Sequence, residues 1–277
     1  MVYLRFRFCA IFIFILWAID SNAQGDLLIT PKRLIFAGSQ PTQEVNLANI
    51  GKDTATYNIS FVQFKMDENG VFYSIPDTDT TQKFANKNLR FFPRTVTLAP
   101  NEAQSVKVQL IKSNELAPGE YRSHLFFKNV LNKTALGEDL PGSKNDTGIT
   151  VSLKPVYGIS IATIIHIGEA HVTASLSQVK FSKEGLKELP AVHFKINRSG
   201  NFSIYGDIKV NYVLPGEKPI EVALMRGVAV YTPNPFRNIK LPLNTIPGID
   251  FSKGSLHIEF TDPANKNRVI SEIDTNL

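Results

Sequence analysis

The residues best suited to acid–base or metal chemistry in this 277-residue chain are five histidines, His124, His166, His171, His193 and His257, and the carboxylate pairs Asp67-Glu68 and Asp77 with Asp79. Neither set has the spacing such chemistry needs. Zinc hydrolases space two histidines four residues apart on a helix with a glutamate between them, and no His-Glu-x-x-His occurs here. The histidines stand mostly singly in strand-like text, which predicts surface or hydrogen-bonded core residues and no metal site. The carboxylates lie in turn sequence, where an aspartate accepts from nearby backbone N–H groups. Gly-x-Ser-x-Gly, the phosphate-cradling Gly-x-x-x-x-Gly-Lys and a dinucleotide fingerprint are all missing from the sequence. The expectation is a protein that is not an enzyme, with no catalytic residue and no cofactor.

Without a reactive constellation, the ends and composition narrow the class. Residues 1–23 have Arg5 and Arg7, an apolar run from Phe8 to Ile19 and a small-residue exit at Ser21-Asn22-Ala23, the layout of a secretory signal peptide. The apolar run is short of the ~20 residues that a spanning helix needs, and no later segment approaches that length, so no membrane span is expected in the mature chain. Cys9 is the only cysteine and leaves with this segment, which excludes disulfides and thiolate metal sites from the exported protein. The formal charge of +5 falls to +4 when Arg5, Arg7 and Asp20 are removed together. So mild an excess, spread among acidic residues, describes a solvated surface and not a nucleic-acid-binding one.

The mature chain reads with a period of two, punctuated by Gly, Pro, Asn and Asp clusters, and shows no amphipathic helix. Strands are expected at Leu28 to Phe36, Glu44 to Ala48, Thr56 to Phe64, Thr95 to Leu98, Ser105 to Ile111 and Tyr121 to Val130. In the second half they are expected at Ala191 to Asn197, Gly206 to Tyr212, Glu221 to Tyr231, Asn238 to Leu243 and Ser255 to Thr261. Between the two sets, Gly148 to Ile167 forms a run with apolar or aromatic residues at nearly every odd position from Ile149 to Ile165. That is roughly three times the length of a typical strand. A surplus apolar strand is an aggregation hazard unless it has a partner. The halves part at Ile167-Gly168-Glu169-Ala170, which predicts an all-β protein of two immunoglobulin-like β-sandwich domains, residues 24–167 and 168–277, joined at an angle around a cleft.

Several short motifs, taken in order, resemble the PapD-like periplasmic chaperones of pilus assembly. Ile29-Thr30-Pro31-Lys32-Arg33-Leu34-Ile35-Phe36-Ala37-Gly38-Ser39 and Val45-Asn46-Leu47-Ala48-Asn49 are similar to that family's first two strands. Phe92-Pro93-Arg94-Thr95-Val96-Thr97-Leu98-Ala99-Pro100, Gln104-Ser105-Val106-Lys107-Val108 and Gly119-Glu120-Tyr121-Arg122-Ser123-His124-Leu125-Phe126-Phe127 are similar to its middle strands. In the second half, Asn197-Arg198-Ser199-Gly200-Asn201, Gly206-Asp207-Ile208 and Val228-Ala229-Val230-Tyr231 are similar to it with lower specificity.

The resemblance implies a use for the long strand. Pilus subunits of such systems lack the last strand of their sandwich, and the chaperone lends its own until an outer-membrane usher takes the subunit over. Main-chain hydrogen bonds fill the open edge while alternate side chains plug the groove. On this reading Ile149, Val151 and Leu153 lead the donor side chains, followed by Tyr157, Ile159 and Ile161. The competing reading packs all of them into the chain's own sandwich. The resemblance also places Arg33, three residues before Phe36, in the cleft as the ligand of a subunit's C-terminal carboxylate, against the alternative of a solvated strand charge. The family's partnering lysine is missing, because alignment puts Gly158, Ser160 or Ala162 there. Lys154 reaches the cleft only in a shifted register, so either Arg33 acts alone or another basic residue, such as Arg94, helps. The partners implied are pilus or fimbrial subunits, the usher and a second copy paired through the donor strand. The competing class is a structural or adhesive subunit of a surface fibre.

Overall fold

The computed structural model describes residues 27–38, 40–130, 157–186 and 188–277. The first domain contains β1 (Leu27–Thr30), β2 (Arg33–Phe36), β3 (Thr42–Asn49), β4 (Ala55–Val62), β5 (Phe64–Met66), β6 (Phe72–Ser74), β7 (Leu89–Phe92), β8 (Thr95–Leu98), β9 (Ala103–Leu110), β10 (Gly119–Val130) and β11 (Gly158–Ile167). The second contains β12 (Val172–Glu184), β13 (Leu189–Gly200), β14 (Ile204–Val213), β15 (Ile220–Val230), β16 (Phe236–Pro242), β17 (Ser255–Asp262) and β18 (Arg268–Asn276). Three short 3-10 turns complete the regular structure, and no α-helix occurs among the described residues.

Each domain packs two sheets face to face. The order β1-β3-β9-β7 faces β2-β11-β10-β4-β8 in the first, and β12-β13-β16 faces β15-β14-β17-β18 in the second. Alternation along the strands supplies the cores: Val45 and Leu47 of β3, Tyr57 and Ile59 of β4, Val106 and Val108 of β9, and Leu125 and Phe127 of β10 all point into the first. Val192, Phe194 and Ile196 of β13 meet Ile208 and Val210 of β14 and Ile258 and Phe260 of β17 in the second. The architecture is therefore an all-β pair of sandwiches, as the period-two text predicts.

The expected strand from Leu28 to Phe36 is two strands in opposite sheets. Pro31, which has no N–H to give a ladder, separates β1, paired antiparallel with β3, from β2, paired parallel with β11. Leu34 and Phe36 turn inward and are fully buried, so alternation sends Arg33 to the opposite face, beside its register partner Ala162. The long run also differs from its expectation. Over the described part it is β11, and Ile161 to Ile165 are buried without a break. Ile161 and Ile165 join the first domain's core, while Ala162 and Ile164 pack with Met66, Ala229 and Tyr231 between the domains. With both faces covered, alternating exposure disappears, as it does in a strand buried from both sides.

A short hairpin missed in the sequence, β5 and β6, ties the domains together. Asp67 organises its turn by accepting from the backbone N–H groups of Asn69 and Val71, both at 2.8 Å. Those bonds, with Val71 the larger contributor, hold its carboxyl below the usual range. The tip then docks on the second domain, where Asn234 Nδ2 donates to the Met66 carbonyl at 2.8 Å and Asn238 N donates to the Glu68 carbonyl at 2.6 Å.

Candidate functional site

Two buried charges at the interdomain seam have opposite surroundings. Glu120 of β10 is 5% exposed and crosses to the second domain. Its carboxylate accepts from Ser203 N at 2.6 Å, from Thr232 Oγ1 at 2.9 Å and from the Ser203 hydroxyl, and it lies 3.2 Å from His166 Nε2. Burial alone would raise its pKa, but His166 and Ser203 outweigh burial and hold it below the usual range. His166 stacks on Phe202 at 4.1 Å between ring centroids. Arg198 fixes the segment carrying Phe202, because its guanidinium donates to the carbonyls of Gly200, Phe202 and Asn234 at 2.8–2.9 Å. The Arg198-to-Asn201 turn also needs a glycine: Gly200 has φ +106°, and a Cβ there would stand 1.8 Å from the His171 carbonyl oxygen.

Arg122, two residues along β10 on the same face, is 3% exposed and poorly partnered. Nη2 donates to Gln82 Oε1 at 2.7 Å and approaches the Thr232 carbonyl at 3.4 Å, while Nε and Nη1 have no hydrogen-bond partner among the described residues. The guanidinium carbon sits 4.0 Å from the centre of the Tyr231 ring. Burial lowers its pKa, yet an arginine stays charged in a protein.

Arg33 also meets Tyr231. Its guanidinium is 3.4 Å from the centre of the Tyr205 ring, and Nη2 donates to Tyr231 Oη at 3.2 Å. Stacking and hydrogen bond hold the fork in one plane, and no carboxylate pairs with it among the described residues. The surrounding cavity has a volume of about 640 Å³, with Lys32, Arg226, Phe64, Phe72 and His124 on its walls. Burial, aided by the charge of Arg122, drives the His124 pKa down to about 3, so that ring is neutral.

The position beside Arg33 that alignment gives to a lysine is Ala162, which is buried, and Ser160 lines the cavity without charge. Arg94 lies across the first domain's edge, 5.7 Å from the Phe91 ring, and is not part of the cavity wall. Besides Lys32 and Arg226 of the cavity wall, Arg122 is a buried cation close enough to Arg33 to interact electrostatically, and its place on the outward face of β10 is legible from its i, i+2 spacing to Glu120 and His124. Nothing in the sequence shows that the face is covered.

The edge of β11 changes along its length. β10 pairs with it from Gly158 to Ile167, whereas β2 covers the other edge only from Ala162 to Ile165. Gly158 to Ile161 therefore keep one edge without a ladder partner among the described residues. Tyr157 is 71% exposed and Ile159 38%, while Ile161, expected among the donor side chains, is 4% exposed and belongs to the chain's own core. Its neighbours Leu125 and Phe127 enclose it, which corrects that expectation. Ile149, Val151, Leu153 and Lys154 lie outside the described residues.

The remaining histidines fill ordinary roles, with one grouping unforeseen in the sequence. His193 Nε2 meets Glu184 at 2.6 Å, and His171 is exposed near Glu169. On β17 and β18, His257, Glu259 and Glu272 bring ligand atoms within 4.8 Å of one another, and His257 Nδ1 contacts Asp274 at 2.8 Å. Partial burial pulls the His257 pKa down, but Asp274 and Glu259 outweigh it and hold it above the ordinary value. No helix among the described residues is long and apolar enough to cross a membrane.

The fold has counterparts among solved structures. The chain is similar to the YadV chaperone, at 14% identity and a TM-score of 0.43, over 91% of this chain and 100% of that one. It is also similar to the CupB2 chaperone of Pseudomonas aeruginosa, at 10% identity and TM-score 0.44, over 90% and 100%. The structure of the Salmonella enterica SafA pilin in complex with the SafB chaperone matches at 12% identity and TM-score 0.42, over 93% and 99%. Identity this low transfers no residue role. No family model matches the chain, and no curated protein is similar to it in sequence.

Proposed function

We propose that the chain is a chaperone for fimbrial subunits that captures each one by lending it a strand. The support is the outer end of β11, where a main-chain edge unpaired among the described residues, the exposed Ile159 and, just before the strand, the exposed Tyr157 adjoin the wall of the Arg33 cavity. A partner strand laid on Gly158 to Ile161 gains ladder hydrogen bonds, and the alternating apolar residues upstream, Ile149, Val151 and Leu153, enter its groove. The partner's C-terminal carboxylate then reaches Arg33, whose planar fork suits a bidentate acceptor, with the buried charge of Arg122 behind it. Residues 1–23 direct export to the periplasm, and the captured subunit passes to an outer-membrane usher. Capture is stoichiometric, involving no catalysis and no cofactor.

Co-expression with exported products of neighbouring genes tests this reading. Stable one-to-one complexes are expected, lost on Arg33→Ala and on Val151→Asp. A wild-type chain that retains no exported partner overturns the reading. Equal loss of folding and capture in Val151→Asp assigns that side chain to the chain's own core.

A further inference from the structure

The cavity beside Arg33 is larger and more aromatic than a carboxylate needs. Phe64, Phe72 and His124 form an edge-to-face array, with centroids 6.3 Å apart for Phe64–Phe72, 5.1 Å for Phe64–His124 and 5.7 Å for Phe72–His124. Tyr231 extends the array, 6.1 Å from Phe72. Phe72 remains 45% exposed although it stands in the seam, so neither domain covers its ring fully. A volume of about 640 Å³ falls within the usual ~300–1,000 Å³ of ligand sites.

The charges around the array have one sign in excess. Lys32, Arg33 and Arg226 face the cavity, and its one carboxylate, Asp207, already accepts from Gly227 N at 2.8 Å. His124 adds no charge, because burial keeps its ring neutral. An anionic group that carries an apolar ring fits this wall, whereas a carboxylate alone leaves Phe72 wet.

Resting on the reading of Arg33 as the carboxylate ligand, we infer that this cavity reads the last side chain of the captured polypeptide and selects an aromatic one. With the carboxylate on Arg33, the terminal side chain lies over Phe72 and Phe64, adding a ring to the edge-to-face array and covering the exposed part of Phe72. Aromatic pairs gain from this geometry beyond the apolar area they bury. Hairpin β5–β6 supplies Phe64 and Phe72, so the element that fastens the domains also sets the selectivity.

The test uses the purified exported chain and four N-acetylated tripeptides, Gly-Gly-Phe, Gly-Gly-Leu and Gly-Gly-Ala as free acids and Gly-Gly-Phe as its amide, with affinities read by NMR titration. The Phe acid should bind about tenfold more tightly than the Ala acid, with the Leu acid between them. The amide should lose about tenfold against the Phe acid. Phe72→Ala should reduce the Phe-over-Ala preference to under about twofold while preserving the acid-over-amide preference and the melting temperature. Equal binding of Phe and Ala acids, with acid still preferred to amide, overturns this inference and leaves the Arg33 reading standing. Loss of the acid-over-amide preference, or no binding of any free acid, overturns both. A Phe72→Ala protein that keeps its Phe preference overturns the assignment to this wall.

Discussion

Within the interdomain seam, the buried Glu120 carboxylate is satisfied by Ser203, Thr232 and His166, whereas the buried Arg122, two residues along β10, leaves Nε and Nη1 without hydrogen-bond partners among the described residues, and Arg33 beside it pairs with no carboxylate among them. Both are charges removed from water, yet only one has been repaid by hydrogen bonds. A satisfied buried charge fixes geometry, because displacing it exposes several polar groups at once. An unsatisfied one raises the local positive potential and is relieved by an incoming anion. Glu120 therefore ties the first sandwich to Ser203 and Thr232 of the second, and the proposed binding role falls to Arg33.

The largest effect expected from this contrast is on Glu120. Glu120→Ala orphans Ser203 N and Thr232 Oγ1 in the seam and should cost about 3 kcal/mol of unfolding free energy, read by urea titration. A loss below about 1 kcal/mol would remove the junction role argued for it. Arg33→Ala should weaken capture of a subunit by about 2 kcal/mol, roughly thirtyfold, measured as the dissociation constant of the complex, and Arg33→Lys should restore only part of it. Arg122→Met should leave stability within about 1 kcal/mol of the parent, because an apolar side chain tolerates burial that a half-partnered charge does not. If that variant falls as far as Glu120→Ala, the two buried charges are alike and the contrast fails.

The smallest effects are in the pH dependence, where two histidines act with opposite signs. His124 has a folded pKa far below its usual 6.5, so its contribution is complete above pH 6.5 and is lost as pH falls toward about 3. Glu120, also lowered, adds to the acid loss only below its usual 4.5, which leaves the interval from 6.5 to 4.5 to His124. His257 is raised, so its contribution is complete below 6.5 and is lost as pH rises through its folded value. Melting curves between pH 4.5 and 8 should show a shallower acid slope in His124→Gln and a shallower alkaline slope in His257→Gln. Unchanged slopes would remove both assignments.

Legibility followed the strength of each local pattern. The core strands β4, β8, β10, β13, β14 and β17 were readable because one face of each is apolar and the other polar, and the core accepts only that register. Strands β12 and β18 were not, since they lie at sheet edges and carry mostly polar, partly exposed residues. The β5–β6 hairpin was hidden because its strands are only three residues long and Met66 and Phe72 meet Tyr231 of the other domain instead of their own core. Arg33 was singled out only through the resemblance, by its position three residues before Phe36. Arg122 could be put on a strand face, but not beneath Tyr231.

The sequence by itself determined the class of fold, the absence of cysteine chemistry beyond residue 23 and a long strand-like apolar run between two β-rich halves, because composition and period-two alternation are local properties. Tertiary structure alone decided how that strand is divided. Alternation states which side chains share a face, and both faces of Ile161 to Ile165 are claimed, one by the first core and one by the second domain. Whether a face meets core, neighbour or solvent depends on contacts between residues far apart in the chain, such as Ile164 with Tyr231 and Arg33 with Tyr205. Those contacts exist only once the two sandwiches have closed on each other.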